Sequence, residues 1–69
     1  MKIEIGKTYK VRDPEYCLAN GFVSQDTILK KDETLVKDFI GASGEGYYIN
    51  GSIYGIYQKW ESDLIEEIL

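Results

Sequence analysis

Hydrophobic and polar residues alternate along the start of the chain. One side of an extended segment carries the apolar residues Ile3, Ile5, Tyr9 and Val11, and charged or polar residues occupy the other side. This period of two predicts a half-buried β-strand over residues 3–11. Gly6 interrupts the alternation, so we expect a bulge or a sharp bend there.

The following stretch carries the local signals of a short helix. Asp13 is a preferred N-cap residue, Pro14 suits the first helical position, and Gly21 suits a left-handed exit. We therefore expect one or two helical turns inserted between strands. Cys17 lies inside this helix. Because the chain has no histidine to activate a thiol, we expect Cys17 to be a small buried hydrophobe.

The middle of the chain is less regular. Ser24 could cap a second short helix that runs through Lys31, with Ile28 and Leu29 turned inward. The β-branched and aromatic residues of 34–40 predict a strand that ends at Gly41. The glycine-rich segment 41–46 is expected to be a mobile connection. It is not a phosphate-binding loop, because a strand and not a helix follows it.

The strongest local signal is a predicted β-hairpin centred on Asn50-Gly51. This dipeptide is the preferred loop of a two-residue type I′ turn, and apolar runs flank it on both sides. In that register both faces of the hairpin are apolar. One face carries Tyr47, Ile49, Tyr54 and Ile56, and the other carries Tyr48, Ile53 and Tyr57.

Two interpretations of this hairpin remain open. The tyrosines could fill the core with their hydroxyl groups reaching solvent, or one aromatic face could be exposed as a contact surface. We expect Tyr47 and Tyr54 to point outward. Trp60 is either a core residue or part of the same surface. The candidate protein-binding residues are Tyr47, Ile49, Tyr54, Ile56 and Trp60.

The end of the chain fits either of two elements. Leu64, Ile65, Ile68 and Leu69 recur at helical spacing, with Ser62 as a possible cap. The same residues also alternate as in a strand. We favour a closing strand, because a lone hairpin needs further strands to be stable.

Size and composition narrow the possible folds and partners. A chain of 69 residues forms a single domain, residues 1–69, and buries little core. One cysteine and no histidine exclude an internal disulfide and a Cys/His zinc site, so neither a metal nor another cofactor is expected. A domain this small often relies on a partner subunit, so a homodimer is possible.

The charge pattern and the lack of long apolar runs restrict the location and the partners. No apolar run reaches the length of a membrane helix, and the charged opening residues do not resemble a signal peptide, so we expect a cytoplasmic protein. The net charge of −4 and the scattered basic residues disfavour direct nucleic-acid binding. Neighbouring carboxylates such as Glu66-Glu67 diverge, so we expect no enzyme activity.

The assembled pattern resembles the small SH3-like barrels that phages and mobile elements often carry as short open reading frames. The likeness rests on the opening strand of residues 5–11, the turn-linked pair of residues 47–57 and the closing segment 63–68. It implies a mainly β fold, an SH3-like antiparallel barrel with short helices in its first long loop. It also implies an accessory protein that acts on a host protein in the host cytoplasm. No binding residue is transferred from the family.

Three functions follow from these observations. The leading hypothesis is a non-enzymatic module that binds and modulates a host protein through the aromatic hairpin. The alternatives are a structural protein that self-associates through the hairpin, and an acidic nucleic-acid mimic that inhibits a DNA-binding protein. The mimic would need carboxylates spaced along one face, and the acidic residues here are scattered.

Overall fold

The chain folds into a curled half-barrel of five antiparallel strands, shown by a computed structural model that describes residues 1–69. The elements are β1 (Thr8–Val11), α1 (Pro14–Ala19), β2 (Gln25–Lys31), β3 (Phe39–Gly41), β4 (Gly46–Tyr47) and β5 (Leu64–Glu67). Within the sheet the order is β4-β3-β2-β1-β5. The mainly β fold with a helical insertion is therefore confirmed. The six-residue helix α1 is far shorter than a membrane-spanning helix.

The central strand β2 joins the two halves of the sheet. Its first residues, Gln25 to Thr27, pair with β1, and Ile28 to Lys31 pair with β3. The register shifts between Ile28 and Lys30, which marks a bulge or irregularity. A strand that changes partner at such a shift bends the sheet, and this bend encloses the core.

The hydrophobic core lies inside this bend. Its buried residues are Ile3, Tyr9, Val11, Cys17, Ile28, Tyr47, Ile53 and Leu64. The predicted inward positions 3, 9 and 11 are confirmed, but Ile5 is half exposed. The strand starts only at Thr8, because Gly6 has φ +89° and sits in a turn in which Lys7 N donates to Glu4 O. The expected bend at Gly6 is thus confirmed. It interrupts the alternation of buried and exposed residues, so Ile5 does not lie in the core.

The predicted short helix is confirmed together with its signals. The Asp13 carboxylate accepts a hydrogen bond from Tyr16 N at 3.1 Å, and Pro14 starts the helix. The chain leaves the helix at Gly21, which has φ +79°. Cys17 is fully buried, and its thiol lies 3.4 Å from Glu61 O. Through Cys17, the helix therefore contacts the segment that precedes β5.

Two predictions in the middle of the chain are wrong. Residues 24–31 do not form a helix, since Gln25 to Lys31 form strand β2 with Asp26 and Ile28 buried and Leu29 exposed. The strand predicted over 34–40 is only Phe39 to Gly41. Residues 34–38 form a loop instead, because the side chain of Asp32 binds their backbone. The glycine-rich segment does connect two strands, with Gly41 in β3, Gly46 in β4 and the turn between them. Its mobility stays a prediction.

The two-residue hairpin at Asn50-Gly51 is also wrong. Gly51 has φ +89°, but Asn50 does not have the positive φ that a type I′ turn requires. Gly51 N donates to Tyr48 O, and Tyr48 N donates to Ser52 O, both at 2.8 Å. These two bonds enclose a three-residue loop, but no strand follows it before β5, and β4 pairs with β3 instead. The predicted hairpin is therefore absent, and Tyr47 lies in the core.

The end of the chain forms the predicted strand. β5 pairs with β1, and Leu64 N donates to Gly51 O at 2.8 Å. A side chain at Gly51 would collide with the backbone of Leu64. The glycine therefore allows the turn at 49–51 to lie directly against β5.

Loops carry much of the backbone bonding in this small fold. Of 34 backbone hydrogen bonds, 23 lie outside the helix and the regular strand ladders, so the loops need further support. Three buried carboxylates, which we name the anchor aspartates, supply it: Asp26, Asp32 and Asp63. Asp32 and Asp63 each accept hydrogen bonds from two backbone N–H groups, and Asp26 accepts from one. The N–H group of Ile53 is buried and would otherwise be unsatisfied.

Asp32 shows how an anchor aspartate orders a loop. It accepts from the Thr34 hydroxyl at 2.6 Å, from Thr34 N at 3.0 Å and from Lys37 N at 2.9 Å. The hydrogen bond from the Thr34 hydroxyl, helped by that from Lys37 N, holds the pKa of Asp32 below its ordinary value. This contribution to stability is therefore present above the ordinary carboxyl pKa and is lost as the pH falls through the folded-state pKa.

Candidate functional site

A groove of about 510 Å³ lies on the surface of the half-barrel, and we name it the aromatic groove. Three loops and one strand line it. The loop after α1 contributes Gly21, Phe22 and Val23, and the β3–β4 turn contributes Ser43, Gly44 and Glu45. The segment between β4 and β5 contributes Tyr54, Trp60 and Ser62, and β4 contributes Tyr47. This volume is in the range of pockets that receive a ligand or an anchoring side chain.

Asp63 positions the two aromatic residues of the β4–β5 segment. Its carboxylate accepts from Ile53 N at 3.0 Å and from Trp60 N at 2.9 Å, so it spans the segment that carries both rings. The rings of Tyr54 and Trp60 meet edge to face, with centroids 5.6 Å apart and an interplanar angle of 87°. This is a favourable aromatic geometry. Both rings are thus held in place without a regular strand.

Lys37 supports Tyr54 from another loop. Its ammonium lies 5.7 Å from the centroid of Tyr54 and 5.9 Å from that of Tyr48, within the range of cation–π attraction. The same ammonium donates to Gly46 O at 3.2 Å. Because β4 is an edge strand, this bond also occupies a carbonyl that could otherwise pair with another chain.

The loop after α1 places Phe22 and Val23 in the groove. The left-handed Gly21 turns the chain out of the helix, and Phe22 N donates back to Cys17 O at 2.7 Å. Phe22 nevertheless keeps 54% of its surface exposed, and Tyr54 keeps the same fraction. Two large aromatic rings are therefore presented to solvent on loops that are tied to the core.

Tyr47 belongs to the core and only its edge reaches the groove. It is 1% exposed, and its hydroxyl donates to Asp26 Oδ2 at 2.7 Å. The same carboxylate accepts from Ser43 N at 3.1 Å and from the Ser43 hydroxyl. A Cβ at Gly41 would collide with this carboxylate, so glycine is required there. Burial, followed by the bond to Asp26, raises the pKa of Tyr47 far above its ordinary value.

Alkaline pH should destabilise the domain through Tyr47. The folded state keeps the phenol protonated, so this contribution is fully present below the unfolded pKa of about 10 and falls by about 1.4 kcal/mol per pH unit above it. Urea unfolding at a series of pH values measures the decline. The variant Tyr47→Phe should lose stability less steeply over the same range. Equal slopes for the two proteins would contradict the assignment.

The structure brings together only part of the predicted binding surface. Tyr54 and Trp60 line the aromatic groove. The prediction that Tyr47 points outward is wrong, because Tyr47 lies in β4 beside β3 and its ring is buried with its hydroxyl bonded to Asp26. Ile49 and Ile56 are exposed but lie outside the groove, and Ile56 lines a smaller depression of about 210 Å³.

Seven of the ten groove residues are not among the predicted binding residues, and the three with a large apolar or a charged side chain are Phe22, Val23 and Glu45. Phe22 and Val23 directly follow a helix-terminating glycine, a position where an apolar residue commonly packs back on the last turn of the helix. That pattern does not indicate exposure, so the sequence offers no signal for their place in the groove. Glu45 sits in a glycine-rich turn, and nothing in its neighbours indicates a groove.

The groove can accept an apolar side chain and offers one carboxylate, that of Glu45. The hydroxyl of Ser43 is bonded to the buried Asp26. No group of three or more carboxylate or thiol side chains comes together as a metal-binding cluster. Comparison of the chain with protein-family models, with curated proteins and with solved structures gives no match.

Proposed function

We propose that this chain is a small SH3-like domain that binds a segment of another protein in the aromatic groove and modulates that protein without catalysing a reaction. The antiparallel order, in which the last strand returns beside the first, supports the SH3-like assignment. The phage or mobile-element origin belongs to the same proposal and rests on the resemblance of the sequence alone.

One observation carries the proposed binding role. Phe22 and Tyr54 remain half exposed at the aromatic groove although the surrounding loops are tied to the core. Large aromatic side chains in a concave site are the residues that most often dominate binding energy at interfaces. Loops that are ordered before binding also reduce the entropy lost on association. The edge-to-face contact of Tyr54 and Trp60 and the cation of Lys37 provide that order.

Trp60 allows a direct test, because it is the single tryptophan and lines the groove. Short peptides would be selected from a random displayed library and titrated against the domain while Trp60 emission is recorded. We expect saturable binding with a change in emission. The variant Phe22→Ala should weaken binding about tenfold or more, since it removes an exposed aromatic anchor and little of the core.

Leu18→Ala is the matched control. Leu18 is 62% exposed on α1 and does not line the groove, so its truncation should leave the affinity unchanged. Ile49→Ala and Ile56→Ala test the part of the predicted hairpin surface that lies outside the groove. Equal weakening by Leu18→Ala and Phe22→Ala, or a selection that returns no groove-binding peptide, would refute the proposal.

A second candidate function is self-association, and one loop favours it. Leu35 is 87% exposed, and its φ of +61° is unusual for a residue with a side chain. The neighbouring Val36 is 70% exposed. A strained loop that presents two apolar side chains fits a seam between copies of the chain. Sedimentation at low micromolar concentration separates the candidates, because a strict monomer excludes this one.

A further inference from the structure

Glu45 is the one carboxylate that lines the aromatic groove, and no lysine or arginine lines it. The three ion pairs of the domain join Lys7 to Glu4, Lys7 to Glu67 and Arg12 to Asp63, so Glu45 has no cationic partner within the chain. It is partly buried rather than freely solvated. A carboxylate in this position can accept a cation from outside the domain.

The geometry around Glu45 keeps its carboxylate in place. Glu45 Oε2 accepts from Gly46 N at 3.2 Å, and Glu45 N donates to the Ser43 hydroxyl at 3.2 Å. Ser43 is in turn bonded to the buried Asp26. The turn that carries Glu45 is therefore connected to the core through an anchor aspartate.

Lys37 is the cation bound to the same edge strand, and its ammonium is already engaged. It donates to Gly46 O and lies over the rings of Tyr48 and Tyr54. It forms no ion pair with Glu45. The groove thus combines aromatic rings with one carboxylate whose charge no other residue of the domain neutralises.

Building on the proposed function, we infer that the segment bound in the aromatic groove carries a lysine or arginine next to an apolar anchor. The anchor contacts Phe22, Tyr54 and Trp60, and the cation pairs with Glu45. Aromatic rings attract a cation as well as an apolar side chain, so the two requirements suit one groove. The net charge of −4 also favours the approach of a basic segment.

The test selects short peptides from a random displayed library against the wild type and against Glu45→Lys. We expect the wild type to enrich peptides with lysine or arginine beside an aromatic or aliphatic residue. The charge-reversed variant should enrich peptides with aspartate or glutamate at that position. Peptides selected on the wild type should bind Glu45→Gln about three- to tenfold more weakly, because the amide can still accept from Gly46 N but carries no charge.

Glu33→Gln is the matched control. Glu33 is exposed and lies outside the groove, and its substitution changes the net charge by the same amount as Glu45→Gln. It should leave the affinity unchanged, and thermal melts should show both variants folded. Groove-binding peptides without a basic residue, or equal weakening by both variants, would overturn this inference and leave the proposed function standing. A selection without groove-binding peptides would overturn both.

Discussion

Replacing Asp26 with alanine should destabilise the domain by about 3–5 kcal/mol, because it leaves the Tyr47 hydroxyl and Ser43 N without their acceptor. A chain of this length has a total stability of roughly 3–10 kcal/mol. The variant should therefore be largely unfolded or close to it. Asp26→Asn should lose less, about 1–3 kcal/mol, since its amide oxygen still accepts one of these bonds.

Urea unfolding followed by circular dichroism measures both variants. Asp38→Asn is the control, because Asp38 is exposed and accepts one backbone bond, from Ile49 N. Adding Tyr47→Phe to Asp26→Asn should cost less than Tyr47→Phe costs in the wild type, since the two residues share one bond. Additive effects, or a loss at Asp26 no larger than that at Asp38, would contradict the assigned role.

Replacing Asp63 with alanine should destabilise the domain by about 2–4 kcal/mol and should also disorder the aromatic groove. The carboxylate satisfies the N–H groups of Ile53 and Trp60, and the first of these lies in the core. The Arg12 guanidinium is 3.5 Å away and partly exposed, so the ion pair adds little. The main loss comes from the two backbone groups.

Substitution of Asp63 should change the environment of Trp60 in the groove, and this effect distinguishes Asp63 from Asp26. Trp60 emission should shift towards that of a solvated indole in Asp63→Asn at temperatures where the sheet is still folded. Arg12→Gln is the control, because it removes the ion pair and keeps the carboxylate. If Arg12→Gln shifted the Trp60 emission as much as Asp63→Asn, the ion pair, and not the backbone bonding, would order this segment.

The elements that depend on local signals could be predicted from the sequence. The helix of residues 14–19 needs only an N-cap, a proline and a terminating glycine, and all three are adjacent in the chain. The closing strand followed from the need of a small sheet for further strands. The pattern of β2 misleads, because Ser24 is a good helix cap and Asp26, a buried strand residue, has the polarity of a surface position.

The candidate site was only partly predictable, for two physical reasons. The Asn50-Gly51 dipeptide indicates a turn but does not determine which strands pair, and β4 pairs with β3 and not with residues 52–57, which places Tyr47 in the core. The groove also combines three loops that lie far apart in the sequence. Two of those loops are positioned by Asp26 and Asp63, and hydrophobic patterning cannot detect a buried carboxylate.

Buried carboxylates, and not regular strands, order two of the three loops of the aromatic groove, the β3–β4 turn and the β4–β5 segment. Hydrogen–deuterium exchange of the Ile53 and Trp60 amides tests this claim most directly, because both donate to Asp63 and neither lies in a strand. We predict that both amides exchange as slowly as the amide of Ile28, which lies in β2 and donates to Lys7 O. Exchange of both amides at the rate of an unstructured peptide would contradict the claim.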